Sequence, residues 1–175
     1  TTVTGAYDQG TYGALERLAG DRADGKPLEC FWRIVAKRAI LTAGALERPI
    51  AFPNNDRPGV MLASAVRSYV NRWGVAPGKA VAIFGNNDDA HRTARDLQAA
   101  GIKVVALIDS RDDAKVEGDF PTYTGATVVG TKGRHGLQSI AVIHNGIKRS
   151  IQADCLAISG GWNPTVHLTC HMNGR

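Results

Sequence analysis

The stretch from Lys79 to Asp109 limits what this chain can fold into more than any other feature. Ala80-Val81-Ala82-Ile83-Phe84 is a continuous apolar run, the pattern of a short strand buried on both faces of a parallel sheet. It stops at Gly85-Asn86-Asn87-Asp88-Asp89, where Asn87 or Asp88 can cap a helix. Ala90, Ala94 and Leu97 then recur on one helical face, Gly101 is placed to end the helix, and Lys103 to Asp109 is a second apolar run. Strand, glycine turn, capped helix and strand make a βαβ unit, whose crossover is right-handed. The middle of the chain is therefore α/β, built on a Rossmann-like parallel sheet.

The flanks read differently. Thr1 to Tyr7 and Tyr12 to Leu18 form two short strands around Asp8-Gln9-Gly10, followed by a polar turn from Gly20 to Pro27. Phe31 to Ala36 and Arg38 to Thr42 continue the β pattern to Ala43-Gly44. Two prolines, two asparagines and a glycine between Pro49 and Gly59 forbid regular structure there, and Met61, Leu62, Ala65, Val66, Tyr69 and Val70 then mark an amphipathic helix that stops by Gly74. From Tyr123 the texture is alternating: Thr124 to Thr131, Leu137 to His144 and Ile147 to Ile151, with Asn145-Gly146 as a type I′ hairpin turn. Leu156 to Ser159 is a last buried strand, halted by Gly160-Gly161.

Composition narrows the function classes. With 175 residues, 43% of them hydrophobic and 21% charged, the chain has the apolar content to bury a core, which excludes disorder. The net charge of +5 is spread over Arg33, Lys37, Arg67, Lys79, Arg92 and others rather than gathered in a basic block, and only 6% of residues are aromatic, so a nucleic-acid surface is not supported. Three cysteines without a CxxC pair point to neither a disulfide scaffold nor zinc, and fit a reducing, cytoplasmic setting. There is neither an apolar run long enough to span a membrane nor a secretory pattern. The chain opens at Thr1-Thr2-Val3 without Met, which leads to the expectation of a segment of a longer polypeptide.

The turn after the first buried strand is where a dinucleotide fingerprint belongs. Against G-x-G-x-x-G/A it supplies Gly85 first, Asn87 in the second glycine's place and Ala90 third. The helix start offers N–H groups and a partial positive charge to a pyrophosphate, whereas Asp88 and Asp89 repel an anion there. Asp109 sits at the tip of the next strand, placed either to accept hydrogen bonds from a ribose or simply to end the strand in solvent. The turn binds a dinucleotide or is only structural, and the residues alone leave both open. His91 is expected on the exposed start of the helix, His135 in a hairpin loop and His144 at a strand end. His167 and His171 stand four apart, but no further ligand completes a metal spacing. Cys170 reads as a buried thiol, and no nucleophile, P-loop or paired-carboxylate motif is present, so no catalytic residue is expected in this chain.

Leu41-Thr42-Ala43-Gly44-Ala45-Leu46-Glu47-Arg48-Pro49, followed by Pro58-Gly59-Val60-Met61, resembles the A-T-G-A-x-x-R-P…P-G-V-M segment of flavoproteins built from two dinucleotide-binding domains. Ile158-Ser159-Gly160-Gly161-Trp162-Asn163-Pro164-Thr165 is similar to the point where such chains return to their first domain; the usual G-D is replaced, removing the acidic contact to a flavin ribitol. With Thr2-Val3-Thr4-Gly5-Ala6-Tyr7-Asp8 and the turn at Gly85, the whole most resembles the alpha subunits of the heterotetrameric sarcosine oxidase family. The resemblance implies residues 1–48 and 156–175 as pieces of a first, FAD/NAD-type domain, with 49–155 as an inserted NAD(P)-binding-like domain. It implies an enzyme that oxidatively demethylates sarcosine with O2 to glycine, formaldehyde and hydrogen peroxide, with NAD and a folate region in the alpha subunit. FAD and FMN would lie mainly with the beta subunit, gamma and delta subunits would complete the assembly, and the amine site would be elsewhere. Thr42, Ala43 and Gly44, with Gly160 and Gly161, would line the first-domain dinucleotide, and Gly85, Asn86, Asn87 and Asp109 would belong to the second. The alternatives are a subunit of a related amine or opine dehydrogenase, and a non-catalytic module that docks a partner subunit.

Overall fold

The computed structural model describes residues 1–19, 25 and 27–172, and the polar turn expected over Gly20 to Pro27 falls mostly outside them. The chain forms two compact units, Thr1–Ala45 with Pro164–Arg175, and Leu46–Asn163.

In the first unit, β1 (Thr2–Tyr7), β2 (Thr11–Arg17) and β3 (Glu29–Val35) form an antiparallel sheet in that order. The turn at Asp8–Gly10 works because Gln9 and Gly10 take left-handed φ values of 58° and 69°. Ala6 and Ala14 are buried, but Phe31, Val35 and Ile40 are exposed. The strand expected over Arg38 to Thr42 does not form: the segment has apolar residues but no strand partner in this three-stranded sheet. An extended stretch becomes a strand only where a ladder meets its N–H and C=O groups.

The second unit carries a five-stranded sheet in the order β5-β12-β6-β7-β8, all pairs parallel. Its strands are β5 (Val60–Leu62), β12 (Cys155–Ser159), β6 (Ala80–Gly85), β7 (Lys103–Asp109) and β8 (Thr122–Tyr123). Helices α1 (Ala63–Trp73) and α2 (Asp88–Ala99) cover one face, where Val66, Ala94 and Leu97 pack on Val81, Ile83, Leu107 and Ala157. An antiparallel sheet of β9 (Thr127–Lys132), β10 (Ser139–His144) and β11 (Ile147–Gln152) supplies the other core, where Val128, Ile140 and Val142 meet Phe84, Ile108, Leu156 and Ile158. Alternate side chains of β6 and β12 enter different cores, which is why these strands read as continuous apolar runs. The hairpin turn has Asn145 at φ 52° and Gly146 at φ 73°, the primed geometry its sequence predicts.

Residues 156–163, grouped by sequence with the flanking domain, are built into this unit. β12 lies between β5 and β6, with Leu156 opposite Ala82 and Ser159 opposite Gly85. The glycine pair after Ser159 marks a chain feature, whereas strand partnership is set by the ladders that β5 and β6 offer on either side of β12. The chain passes between the units through β4 (Ala45–Glu47) and β13 (Trp162–Pro164), which pair with each other.

Helix α1 has no cap of its own at Leu62. The Glu47 carboxylate supplies one: its Oε2 accepts from the Ser64 N–H at 2.7 Å, setting negative charge at the positive end of the helix. At the other end Gly74 closes the helix at φ 64°. Arg67 Nε, 2.8 Å from Asp96 Oδ2, ties α1 to α2. Glu47→Ala is expected to lower stability by about 1 kcal/mol, the ordinary value of a lost helix cap, read as a lower urea midpoint with unchanged slope.

Candidate functional site

The carboxyl ends of β12, β6 and β7 converge, the place where open α/β sheets bind ligands. Gly85 ends β6 opposite Ser159 of β12 and Asp109 of β7. A Cβ at Gly85 would stand 2.4 Å from the Ala90 Cβ and 3.1 Å from the Ser159 carbonyl, so this glycine and the small residue at 90 are required by close packing of α2 on β6. Asn86 is exposed, and its N–H donates to the Ser159 carbonyl.

Asn87 is the helix cap. Its backbone is extended, and its Oδ1 accepts from the Asp89 N–H at 3.0 Å. The same oxygen accepts from Ser159 Oγ, while Nδ2 donates to the Ser159 carbonyl and to Asn86 Oδ1, each at 3.0 Å. Trp162 Nε1 donates to the Asp89 carboxylate. The turn is thus bound to β12 and the segment after it.

Asp109 is neither a solvated strand end nor a free acceptor. Its side chain is 0% exposed, and four donors meet its two oxygens. Oδ1 accepts from the Arg111 N–H at 2.9 Å and from Arg111 Nε at 3.1 Å, and Oδ2 accepts from Arg111 Nη2 at 2.9 Å and from His91 Nε2 at 2.5 Å. Burial pushes the Asp109 pKa up, but the hydrogen bonds from Arg111 and then His91 outweigh it and hold the carboxyl below its usual range. Asp109, and after it Asp88 at 2.8 Å, keep the Arg111 guanidinium charged. His91, expected on an exposed helix start, is buried because the α2 face that carries it lies over the end of β7. Periodicity placed Ala90 and Ala94 on that face; only the Asp109 carboxylate makes an imidazole acceptable beside them.

Beside this network is a polar cavity of about 390 Å³ lined by Asp88, His91, Arg95, Arg111, Lys115 and Glu117, among others. Arg95 is 3.2 Å from Glu117, so of these cations Arg95 and Arg111 are matched by carboxylates.

The remaining sequence candidates lie apart. In the first unit, Thr42 and Ala43 line an apolar groove of about 470 Å³ with Val3, Tyr12, Ile40 and Leu41, and Gly44 takes φ 71° with open space where a Cβ would stand. In the second unit, Gly160 is demanded by packing, since a Cβ would lie 2.7 Å from the Arg48 carbonyl, whereas Gly161 at φ 96° faces open space. His135 and His167 are exposed, and His144 stands edge-on to Tyr123. Among the described residues no three metal-ligating side chains come together. The Cys155 thiol is pushed up to about 12 by burial and then by Asp154, so it is inert. Cys170 is exposed rather than buried, because its short 3₁₀ turn, His167–Met172, leaves it uncovered.

The fold is shared with solved structures of oxidoreductases. L-proline dehydrogenase from P. horikoshii matches 99% of this chain with 30% of its own at TM-score 0.67 and 22% identity. T. acidophilum thioredoxin reductase matches 95% with 53% of its own at TM-score 0.64 and 13% identity. In sequence, the chain is 47% identical over 180 residues to sarcosine oxidase subunit alpha of Rhizobium meliloti (strain 1021), and 39% identical over 193 residues to that of Corynebacterium sp. (strain P-1). Both matches take in all of this chain and 18% and 20% of the relatives, so the chain spans about a fifth of their length. No protein-family model matches it. The resemblance to sarcosine oxidase alpha subunits read from the motifs holds along the whole sequence.

The depressed Asp109 pKa fixes the sign of a pH effect. Stability from the ionised carboxylate is complete above the unfolded aspartate pKa of about 3.9 and is lost as pH falls through the lower folded value. Asp109→Asn is therefore expected to unfold at lower temperature than the parent at neutral pH, with the gap narrowing below about pH 4, as followed by circular dichroism.

Proposed function

We propose that this chain is a dinucleotide-domain part of the alpha subunit of a sarcosine oxidase. The complete enzyme would oxidise the N-methyl group of sarcosine with O2 and water, giving glycine, formaldehyde and hydrogen peroxide. The observation that carries this reading is the 47% identity to a sarcosine oxidase alpha subunit along the entire chain. In this reading the first unit belongs to an FAD/NAD-type domain and the second is the inserted NAD(P)-binding-like domain. Thr42, Ala43 and Gly44 are offered as NAD contacts, supported by the groove that Thr42 and Ala43 line and by the open left-handed backbone at Gly44. Within the second unit, Gly161, with open space beside it, is offered separately as a candidate contact, and Gly160 as the packing residue that shapes the segment. FAD and FMN would lie mainly with the beta subunit and folate elsewhere in the alpha subunit, gamma and delta subunits would complete the assembly, and catalytic groups would lie outside this chain. Cytoplasmic placement is part of the proposal, in keeping with three unpaired cysteines; no helix is long and apolar enough to cross a membrane.

An amine dehydrogenase subunit is the second reading, favoured by the likeness to L-proline dehydrogenase over 99% of the chain. At 22% identity that likeness bears on fold alone, so the sequence match outweighs it. Assay of the assembled complex separates the two. The oxidase reading expects O2 uptake and peroxide release driven by sarcosine. Turnover of L-proline with an artificial acceptor, without sarcosine-driven peroxide, would replace it with the dehydrogenase.

A further inference from the structure

We propose that the Gly85 turn of the second unit is a closed dinucleotide site, in which the protein's own side chains take up the groups that a fingerprint turn offers to a cofactor. The inference rests on the dinucleotide-domain reading above and concerns the inserted unit alone.

Three observations carry it. First, a fingerprint needs a bare backbone at its second glycine so that pyrophosphate can approach. Here Asn87 puts a side chain at that place, and all its polar atoms are engaged: Oδ1 by the Asp89 N–H and Ser159 Oγ, Nδ2 by the Ser159 carbonyl and Asn86. The helix N–H that an anion would use already has its acceptor. Second, Asp88 and Asp89 occupy the first turn of α2. A pyrophosphate there would meet two carboxylates, reversing the attraction of the helix dipole. Third, the acidic residue at the end of β7 needs free lone pairs to accept from a ribose. The Asp109 oxygens instead accept from Arg111 three times and from His91 once, inside a side chain with no exposure to solvent. Arg111 in turn donates through Nη2 to Asp88 as well as to Asp109, so that edge of the guanidinium is already engaged. NAD does not fit this donor and acceptor set.

What remains is a clasp. His91 from α2, Asp109 from β7 and Arg111 from the loop after it close the strand–turn–helix with internal bonds, and Asn87 fastens the turn to β12. Asp109, His91 and Arg111 are positioning residues for the fold of the unit, and dinucleotide contact falls to other parts of the subunit.

Hydrogen exchange followed by mass spectrometry on the full chain in its complex tests this, with NAD and, in a parallel run, FAD at about 1 mM. The expected result is protection unchanged within about twofold over residues 85–94 and 106–114. A gain of about fivefold or more in those peptides would overturn the closure. Protection confined to residues 41–46 or 160–163 supports the closure. A chain without protection anywhere also leaves the closure standing, and removes the cofactor role proposed for Thr42, Ala43 and Gly44. Arg111→Ala gives an independent readout: exchange over 109–114 is expected to speed up while NAD affinity by calorimetry stays within about twofold, and a loss of about tenfold or more would overturn the closure. If that variant does not fold, the exchange experiment on the parent chain decides by itself.

Discussion

Strands that are apolar on both faces must be covered twice, and the second unit is organised around that demand. Val81 and Ile83 point into one core, Ala82 and Phe84 into the other, and neither set can be left in water without losing about 1.5–3 kcal/mol for each large side chain. Two helices meet the first need and an antiparallel three-stranded sheet the second. The convergence of β12, β6 and β7 at one end is a by-product of this layering. So is the small Gly85–Ala90 contact, because α2 reaches Val81, Ile83 and Leu107 only by lying close on β6.

At that end a buried carboxylate is held by internal donors, beside the polar cavity that His91 and Arg111 line. An unpaired Asp109 in a water-excluded position would be costly. Its four donors offset the cost and anchor Arg111, at the start of the loop after β7, to the end of that strand. His91, the side chain that looks most chemically suggestive here, hydrogen-bonds to that carboxylate. The first unit contrasts with this: its apolar groove and its exposed Phe31, Val35 and Ile40 are not covered by the described residues.

Much of this was legible beforehand, for a consistent reason. β6, α2, β7, the β10–β11 hairpin and β12 follow from local patterns: unbroken apolar runs, a capping Asn, and Asn-Gly with both residues at positive φ. Short strands such as β5, β8 and β13 carry no such pattern, because two or three residues have no periodicity and become strands only when a neighbour pairs them. Arg38 to Thr42 is the mirror case, with the pattern present and the partner missing. Glu47 as the cap of α1 was invisible, since the acceptor lies 17 positions from its donor.

By itself the sequence determined the α/β class, the turn at Gly85 with its two aspartates, and a likeness to sarcosine oxidase alpha subunits that holds from end to end. These are properties of neighbouring residues, or of residue order. Only the tertiary structure decided where β12 belongs, that His91 is buried, and that Asp109 spends both oxygens on Arg111 and His91. Those outcomes depend on groups from separate elements meeting within hydrogen-bonding distance, and burial sets their worth, because a carboxylate removed from water must find its partners inside the protein.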